Sequence, residues 1–577
     1  MNAGVIIYSD RIIIVTPAVI AVELLRQTLL TQGGTDRMNL CKKYSDFTRL
    51  NIYQIYPRSF MDFNGDGIGD LQGIISKLDY LQDLGINAIW MCPCFKSPNA
   101  DNGYDVADYC DIMDEFGTMA DMDELISEMH SRGMKLILDL VPNHTSSEHK
   151  WFLESRKAKD DPENPYRDYY YWYDEKPNNW RASFGGSAWE YDETRGQYYL
   201  HMFAVGQPDL NWDNPEVVRA MQGVIDYWVD KGIDGFRIDV IDLISKDIPN
   251  DKPGFGPRLH EYIHAMFGRE KTAHLFTVGE SIVKDIEEMQ RHCGEDREEL
   301  STLFQFDHLE CGRADKFTAK EDSLKTFRDT LILWQQETEK RGLLYSLFTD
   351  NHDQPPFISR AGNDRELRYE SATDIASMVY LLRGVPFIYQ GQEIGMPSAH
   401  YDDIACFDEV ECLGNYKEMI EDKGLSEAEA LEKVNFGSRD NARHPMAWDG
   451  SEKCGFTTGE PWLIAHSRAG EVNVAADLRA DKQGRSVYSF YQKLLRLRAS
   501  SDAFADGSFK VISAPEDDYF IYTRSLGDEK WAVICNFESA QEIELPFECE
   551  EPALANLGRK EAAGAYAPYE CAAARIK

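Results

Sequence analysis

From residue 51 onward, short runs of β-branched and apolar residues alternate with helix-length amphipathic segments, the signature of repeated βα units around a parallel sheet. The runs are Asn51 to Tyr56, Ile86 to Met91, Lys135 to Val141, Ile233 to Asp239, Leu275 to Glu280, Leu303 to Phe306, Leu343 to Asp350 and Val385 to Gln390. Eight such strands suit a closed (β/α)8 barrel, in which reactive groups come from the C-terminal ends of several strands. A chain of 577 residues has room for more than the barrel.

Two stretches break the alternation. Residues 145–210 are rich in Trp, Tyr, Asn and Gly, show no helical period, and are too long for a simple connection, so they read as a domain inserted over the barrel mouth. Many of its rings would serve its own small core. Beyond about residue 500, Phe509 to Ser513, Tyr519 to Arg524, Trp531 to Phe537 and Glu542 to Leu545 alternate in strand fashion and predict a C-terminal antiparallel β-sandwich. The expected organisation is barrel at 38–144 and 211–500, insert at 145–210 and β domain at 501–577. Residues 1–37 are expected to be an extension outside the fold, with Met38 beginning the working protein. The apolar run 12–25 lacks a basic flank and a clear cleavage site, and is too short to span a bilayer.

A formal net charge of -38 repels phosphate backbones and anionic membrane surfaces, which argues against nucleic-acid and membrane partners and is compatible with a neutral ligand. The 12 cysteines have no regular spacing, and the close pair Cys92 and Cys94 is C-x-C, which predicts reduced thiols in a cytoplasmic protein.

The chemistry gathers at strand ends. Arg237 and Asp239, two apart on the fourth strand, point to one face, and a neighbouring guanidinium is expected to keep a carboxylate ionised, which makes Asp239 a candidate nucleophile. Alone, such a pair is more often structural. Glu280 ends the fifth strand framed by apolar residues, where desolvation is expected to raise its pKa as a general acid requires. Asn351-His352-Asp353 ends the seventh, Asn143-His144 follows the third, and Asp101-Asn-Gly-Tyr104 follows the second. Three carboxyls on three strands, without a nucleophilic triad or a phosphate-cradling loop, point to glycoside chemistry, in which one attacks the anomeric carbon and another protonates the leaving oxygen. Asp239 and Glu280 fit those roles. Asp62, Asn64, Asp66 and Asp70 place oxygens at every second position, as a hard cation such as calcium prefers. The twelfth residue is Gly73 rather than Glu, so the run is a one-loop structural site or a metal-free acidic turn rather than an EF-hand.

These residues resemble the α-amylase superfamily, glycoside hydrolase family 13, through Asp139-Leu-Val-Pro-Asn-His144, Gly235-Phe-Arg-Ile-Asp239, Val278-Gly-Glu280 and Asn351-His-Asp353. Within it the chain looks most like the oligo-1,6-glucosidase and dextran glucosidase group, through Ile55-Tyr-Pro-Arg-Ser-Phe60, Gln207-Pro-Asp-Leu-Asn-Trp212 and Arg439-Asp-Asn-Ala-Arg443. The resemblance implies a retaining exo-acting α-glucosidase that acts on short isomalto-oligosaccharides as a monomer or weak dimer. It implies Asp239 as nucleophile, Glu280 as acid/base and Asp353 as stabiliser of the transition state. Asp101, Tyr104, His144, Arg237, His352 and Arg443 would line the glucose subsite, with Phe203 as an apolar wall. Calcium would be held by Asp62, Asn64, Asp66, the Ile68 carbonyl and Asp70. Val240, after the nucleophile, goes in that group with α-1,6 preference. Pro356 and Ser281 depart from the group's usual Arg and Met and bear on the acceptor side. An α-1,4-glucosidase, a sucrose isomerase and a trehalose-6-phosphate hydrolase share the carboxylates. A non-catalytic sugar-binding or transporter-associated subunit would usually lose one of them.

Overall fold

A computed structural model describes residues 47–320 and 324–577, together with the backbone of 5–8 and 11–14. Each of the eight apolar runs contains a strand: β1 (Ile52–Ile55), β2 (Ala88–Met91), β3 (Lys135–Leu140), β4 (Gly235–Ile238), β5 (Phe276–Glu280), β6 (Thr302–Phe304), β7 (Ser346–Leu347) and β8 (Val385–Tyr389). They pair in parallel in the order β6-β5-β4-β3-β2-β1-β8-β7. Side chains bridge the remaining seam: the Thr302 hydroxyl donates to the Leu344 carbonyl at 2.8 Å and lies 3.2 Å from that of Ser346. The barrel is nearly closed. Several strands are shorter than the runs that predict them because the ends of those runs leave the ladder to build the mouth.

Every residue of β1, β2 and β4 is buried, as a parallel sheet covered on both faces requires. Gly235 opens β4 because a Cβ there would meet the Phe276 carbonyl oxygen of β5 at 2.2 Å. Helix α1 (Pro215–Lys231), which leads into β4, starts at Asn214, whose side chain accepts from the Glu216 amide, carries Pro215 in its first turn, and stops at Gly232 with φ 99°. Its buried stripe, Val217, Met221, Val224, Ile225 and Trp228, has the spacing of one helix face.

Within 145–210, Trp172–Tyr173, Gln197–Leu200 and Trp189–Asp192 form a three-stranded antiparallel sheet. A six-residue helix, Lys150–Ser155, stands where no helix was expected; it is too short to register as a period and is capped by the His149 ring. The aromatic density largely serves packing. Tyr170 and Tyr199 lie 5.0 and 5.2 Å from Phe152, and Trp180, Trp189 and Leu200 share a second buried cluster.

The C-terminal strands β9 (Ser508–Val511), β10 (Tyr519–Leu526), β11 (Glu529–Asn536), β12 (Leu554–Ala555) and β13 (Cys571–Arg575) form an antiparallel sheet in the order β9-β10-β11-β13-β12. A smaller pair, Gln541–Ile543 and Gly564–Tyr566, accompanies it. The sheet docks on the barrel through buried polar anchors: Tyr522 donates to the Ser377 carbonyl at 3.1 Å and Arg524 to the Leu381 carbonyl at 3.0 Å.

In the N-terminal segment, Val5–Tyr8 and Arg11–Ile14 pair antiparallel. The rest of the expected extension, with Met38, lies outside the described residues. Among the described residues, no helix is long and apolar enough to cross a membrane, and every cysteine is free.

Candidate active site

Adjacent strands β3, β4 and β5 deliver three carboxyls to one guanidinium. Arg237 Nη1 donates to Asp139 and to Asp239, each at 2.8 Å, and Nη2 donates to Glu280 at 2.5 Å. The Arg237 side chain is 3% exposed, so these contacts are screened very little. It also lies 5.4 Å from the Trp90 ring and 5.7 Å from that of Tyr104, whose faces favour a cation.

One positive charge faces three carboxyls. Burial pushes Asp239 well above the usual carboxylate range, and Glu280 and Asp139 add to the rise against the pull of Arg237. Asp139 is likewise lifted by burial, to about 6, although Arg237 opposes it. This reverses the expectation that Arg237 alone would keep Asp239 ionised, because the same guanidinium is shared three ways. Asp239 and Glu280 thus meet on one guanidinium, Asp239 through Nη1 and Glu280 through Nη2. Glu280 is the more open of the two, with a side chain 22% exposed against 8% for Asp239, contrary to the reading of it as the desolvated member.

Asp353 is the charged member of the site. Burial pushes its pKa up, but His352, Arg439, Arg443 and Arg237 outweigh that and hold the carboxyl far below the usual range. Arg443 donates to it at 2.6 Å and Arg439 at 3.2 Å. Burial drives His352 down to about 3, so its ring is neutral. The ring stacks between Tyr56 and Tyr104, with centroids 6.2 and 5.6 Å away. Gln54 donates to its Nδ1 at 2.9 Å, which leaves the proton on Nε2, 2.6 Å from the Tyr104 hydroxyl.

His144 is also buried and neutral, lowered to about 4 by burial. Its Nε2 lies 3.1 Å from the Tyr104 carbonyl, and Asn143 lies 3.0 Å from its Nδ1. Asp101 is raised to about 6 by burial and accepts from Gln207 at 3.0 Å. Phe203 packs 5.1 Å from His144 and 5.8 Å from Phe184, and Phe184 in turn lies under the Arg439 guanidinium at 5.6 Å. The structure thus brings Asp101, Tyr104, His144, Phe203, Arg237, Asp239, Glu280, His352, Asp353 and Arg443 into one linked network.

Val240 stands apart from the network in backbone rather than chemistry. Its φ of 35° and ψ of 48° are left-handed, a region that a β-branched residue reaches only under strain. The strain aims its amide at Glu280, 3.2 Å away.

Several supporting residues escaped the sequence reading. Gln54 and Tyr56 sit at the end of β1, Arg439 is held by Glu409 at 2.5 Å, and the buried pair Lys246 and Asp209, at 2.8 Å, steadies Asn143. Arg439, Gln207 and Asp209 lie inside motifs already singled out. Gln54 and Glu409 carry no local signal.

The Asp62 loop lies apart from these carboxyls. Asp62 accepts from the Gly65 and Gly67 amides at 2.7 and 2.8 Å, Asn64 from Asp66 at 2.8 Å and Asp66 from Ile68 at 2.9 Å. Asp70 accepts from Phe63 at 3.0 Å and caps the helix Leu71–Ser76 through Gly73 at 2.6 Å. Asp62 Oδ2 accepts from Thr457 as well as Gly67, and Asp70 Oδ2 from Asn64 as well as Phe63, so these two oxygens already take two donors each.

A barrel whose mouth presents two carboxyls on one arginine, with a third carboxylate held ionised beside them, offers groups able to give and take a proton and to attack an electrophilic carbon. Comparison with known proteins narrows that chemistry. Residues 54–507 match the family model described as "Alpha amylase, catalytic domain". A curated oligo-1,6-glucosidase of Bacillus cereus is 47% identical over 518 residues, which cover 86% of this chain and 91% of that one. Among solved structures, a trehalose-6-phosphate hydrolase of Bacillus licheniformis aligns with a TM-score of 0.86 at 38% identity, covering 92% of this chain and 99% of that one. An isomaltulose synthase mutant of Erwinia rhapontici NX5, in complex with sucrose, aligns equally well, with a TM-score of 0.86, 38% identity and the same 92% and 99% coverage. The chain belongs to the α-amylase family and is a glycoside hydrolase with α-glucosidase activity.

Proposed function

We propose that the protein is an exo-acting α-glucosidase that removes glucose from the non-reducing end of short α-1,6-linked isomalto-oligosaccharides, with retention of configuration. The observation that carries this reading is the pair Asp239 and Glu280 on the single guanidinium of Arg237. Carboxyls about 5 to 5.5 Å apart suit a covalent route, whereas a gap of about 6.5 to 9.5 Å leaves room for water to attack directly. Two groups bound to one guanidinium favour the shorter spacing.

In this mechanism Glu280 enters protonated, with the glycosidic oxygen as its partner, and Asp239 enters ionised against Arg237. Asp239 forms the bond to the anomeric carbon as the carbon–oxygen bond breaks, and the leaving oxygen takes the Glu280 proton. Glu280, now a carboxylate, removes a proton from water, which attacks the same carbon and frees Asp239. Asp353, held ionised by Arg443 and Arg439, stabilises the positive charge that develops on the ring. Neutral His144 and His352, with Asp101 and Arg443, hold the sugar hydroxyls, and Phe203 offers an apolar face.

The linkage rests on Val240, whose strained backbone sets its side chain beside the reacting carbon, and on the similarity to the oligo-1,6-glucosidase of Bacillus cereus. The Asp62 loop would hold calcium through Asp62, Asn64, Asp66, the Ile68 carbonyl and Asp70, stiffening the first βα connection. Free cysteines throughout the described residues support a cytoplasmic setting. A monomer or weak dimer acting without nucleic-acid or membrane partners accords with the acidic balance.

The solved relatives support a second reading. Phosphate recognition would need unpaired cations at the mouth, but Arg439 and Arg443 are both taken up by Asp353. The test is to compare kcat/KM of the purified protein on isomaltose, maltose, sucrose and trehalose-6-phosphate. Isomaltose should lead, with sucrose yielding no isomer; maltose cleaved much faster withdraws the linkage, and faster trehalose-6-phosphate hydrolysis withdraws the substrate class.

A further inference from the structure

Behind the segment that follows Glu280, helices α2 (Leu259–Phe267) and α3 (Ile286–Cys293) bring together His260, Glu288 and His292. One ligand atom from each lies within 4.8 Å of the others, and among the described residues no other set of three such side chains does this. None of them takes part in the carboxyl network.

The hydrogen bonds fix what these atoms offer. His292 Nδ1 lies 2.9 Å from the Glu288 carbonyl oxygen and so carries the proton that it donates there. Its Nε2 is therefore a bare lone pair, and it is fully buried with no hydrogen-bond partner. His260 Nδ1 lies 2.7 Å from a Glu299 carboxylate oxygen and donates to it, which leaves its Nε2 bare as well, 3.3 Å from Glu288 Oε1. Arg291 holds the other Glu288 oxygen at 3.0 Å, and Arg297 holds the other Glu299 oxygen at 2.7 Å. Asp242 Oδ1, already accepting from Ser281, is 3.7 Å from His292 Nε2. Three acceptors thus face one another with no proton of their own between them.

A proton added to His260 would relieve its contact with Glu288 but would leave the buried His292 nitrogen unsatisfied. A cation relieves all three. Each ring nitrogen that would face the ion is backed by a donated N–H on the far side, one to a backbone carbonyl and one to a carboxylate, the support that orients metal-binding imidazoles. Two imidazoles and a carboxylate suit zinc and its first-row neighbours rather than calcium or magnesium. His260 and Glu288 are partly exposed and give an ion a way in, with water as a fourth ligand.

We propose that His260, Glu288 and His292 form a second site, for a divalent transition-metal ion of the zinc type, separate from the catalytic carboxyls. Asp242 ties it to the backbone that follows Glu280, since it accepts from the Ile282 amide at 2.9 Å.

The test is titration of EDTA-treated, dialysed full-length protein with Co2+ and with Zn2+, followed by absorption spectroscopy and calorimetry. One ion per chain is expected, with the d–d bands of a nitrogen and oxygen site and no thiolate charge-transfer band, which separates this site from the cysteines. His260→Asn and His292→Ala should each weaken binding at least tenfold, whereas Asp239→Asn should leave it unchanged. The half-buried His260→Asn keeps the comparison available if the fully buried His292→Ala fails to fold. No binding at micromolar metal, a thiolate spectrum, or equal affinity in wild type and His260→Asn overturns the proposal and leaves a proton-bearing His260 network.

Discussion

Replacing Arg237 by Met tests the electrostatic core of the site most directly. The change keeps much of the side-chain length but removes the one cation that faces Asp139, Asp239 and Glu280 at 2.8, 2.8 and 2.5 Å. At such separations a pair interacts by about 6 kcal/mol at an effective dielectric constant near 20. The loss cannot grow without limit, because a carboxyl left without its partner takes up a proton. That costs about 1.4 kcal/mol for each pH unit above its unfolded pKa, or about 4 kcal/mol per aspartate at pH 7 and about 1.5 at pH 5. Burial already favours the protonated form of Asp239, so the ceiling counts the other two carboxyls. Destabilisation should therefore lie between the 3 to 5 kcal/mol typical of a broken buried pair and a ceiling of about 8 kcal/mol at pH 7, falling to about 3 at pH 5. The sign follows from linkage: in the variant the folded carboxyls have raised pKa values, so the penalty is full above them and fades as pH falls toward the unfolded values. Urea denaturation of wild type and variant at pH 5, 6 and 7 measures it. A difference that is flat with pH, or below about 1 kcal/mol at pH 7, would refute the shared-cation account.

Asp239→Asn should lower kcat on an aryl α-glucoside by about 10⁴ or more with little change in melting temperature, since the amide cannot form the ester; residual activity within tenfold of wild type would remove Asp239 from the nucleophile's role. Val240→Gly should relieve a left-handed backbone that costs about 1 to 3 kcal/mol, offset by about 1 kcal/mol of glycine entropy. Its stability in urea should thus be equal or higher, while the ratio of isomaltose to maltose kcat/KM should fall about tenfold or more; an unchanged ratio would detach linkage preference from this side chain. Calcium should raise the melting temperature over that in EGTA, and Asp62→Ala should abolish the difference. If wild type melts alike in both, the Asp62 loop is a metal-free turn held by its own amides.

Much of this protein was legible locally. Apolar runs, repeated eight times between helical segments, give the barrel, and the carboxyls that end the fourth and fifth, Asp239 and Glu280, mark the mouth, with Asp353 just beyond the seventh. What escaped was whatever depends on neighbours distant in the chain. Glu409 holds Arg439 across 30 residues, and Gln54 reaches His352 across 298, so neither announces itself in its own segment. The aromatic insert behaves as its composition suggested: Tyr171, Trp180 and Trp189 share a core of its own, and Phe203 lies against His144.

The sequence by itself determined which groups stand at the strand ends, because side-chain direction alternates along a strand and the apolar runs fix where each strand stops. It could not determine their charge. Arg237 beside Asp239 reads as a lone ion pair until strands β3 and β5 bring Asp139 and Glu280 to the same guanidinium, and burial together with those two carboxyls raises the Asp239 pKa against the pull of Arg237. Ionisation is a property of everything within a few ångströms, and that neighbourhood exists only once the barrel has closed around it.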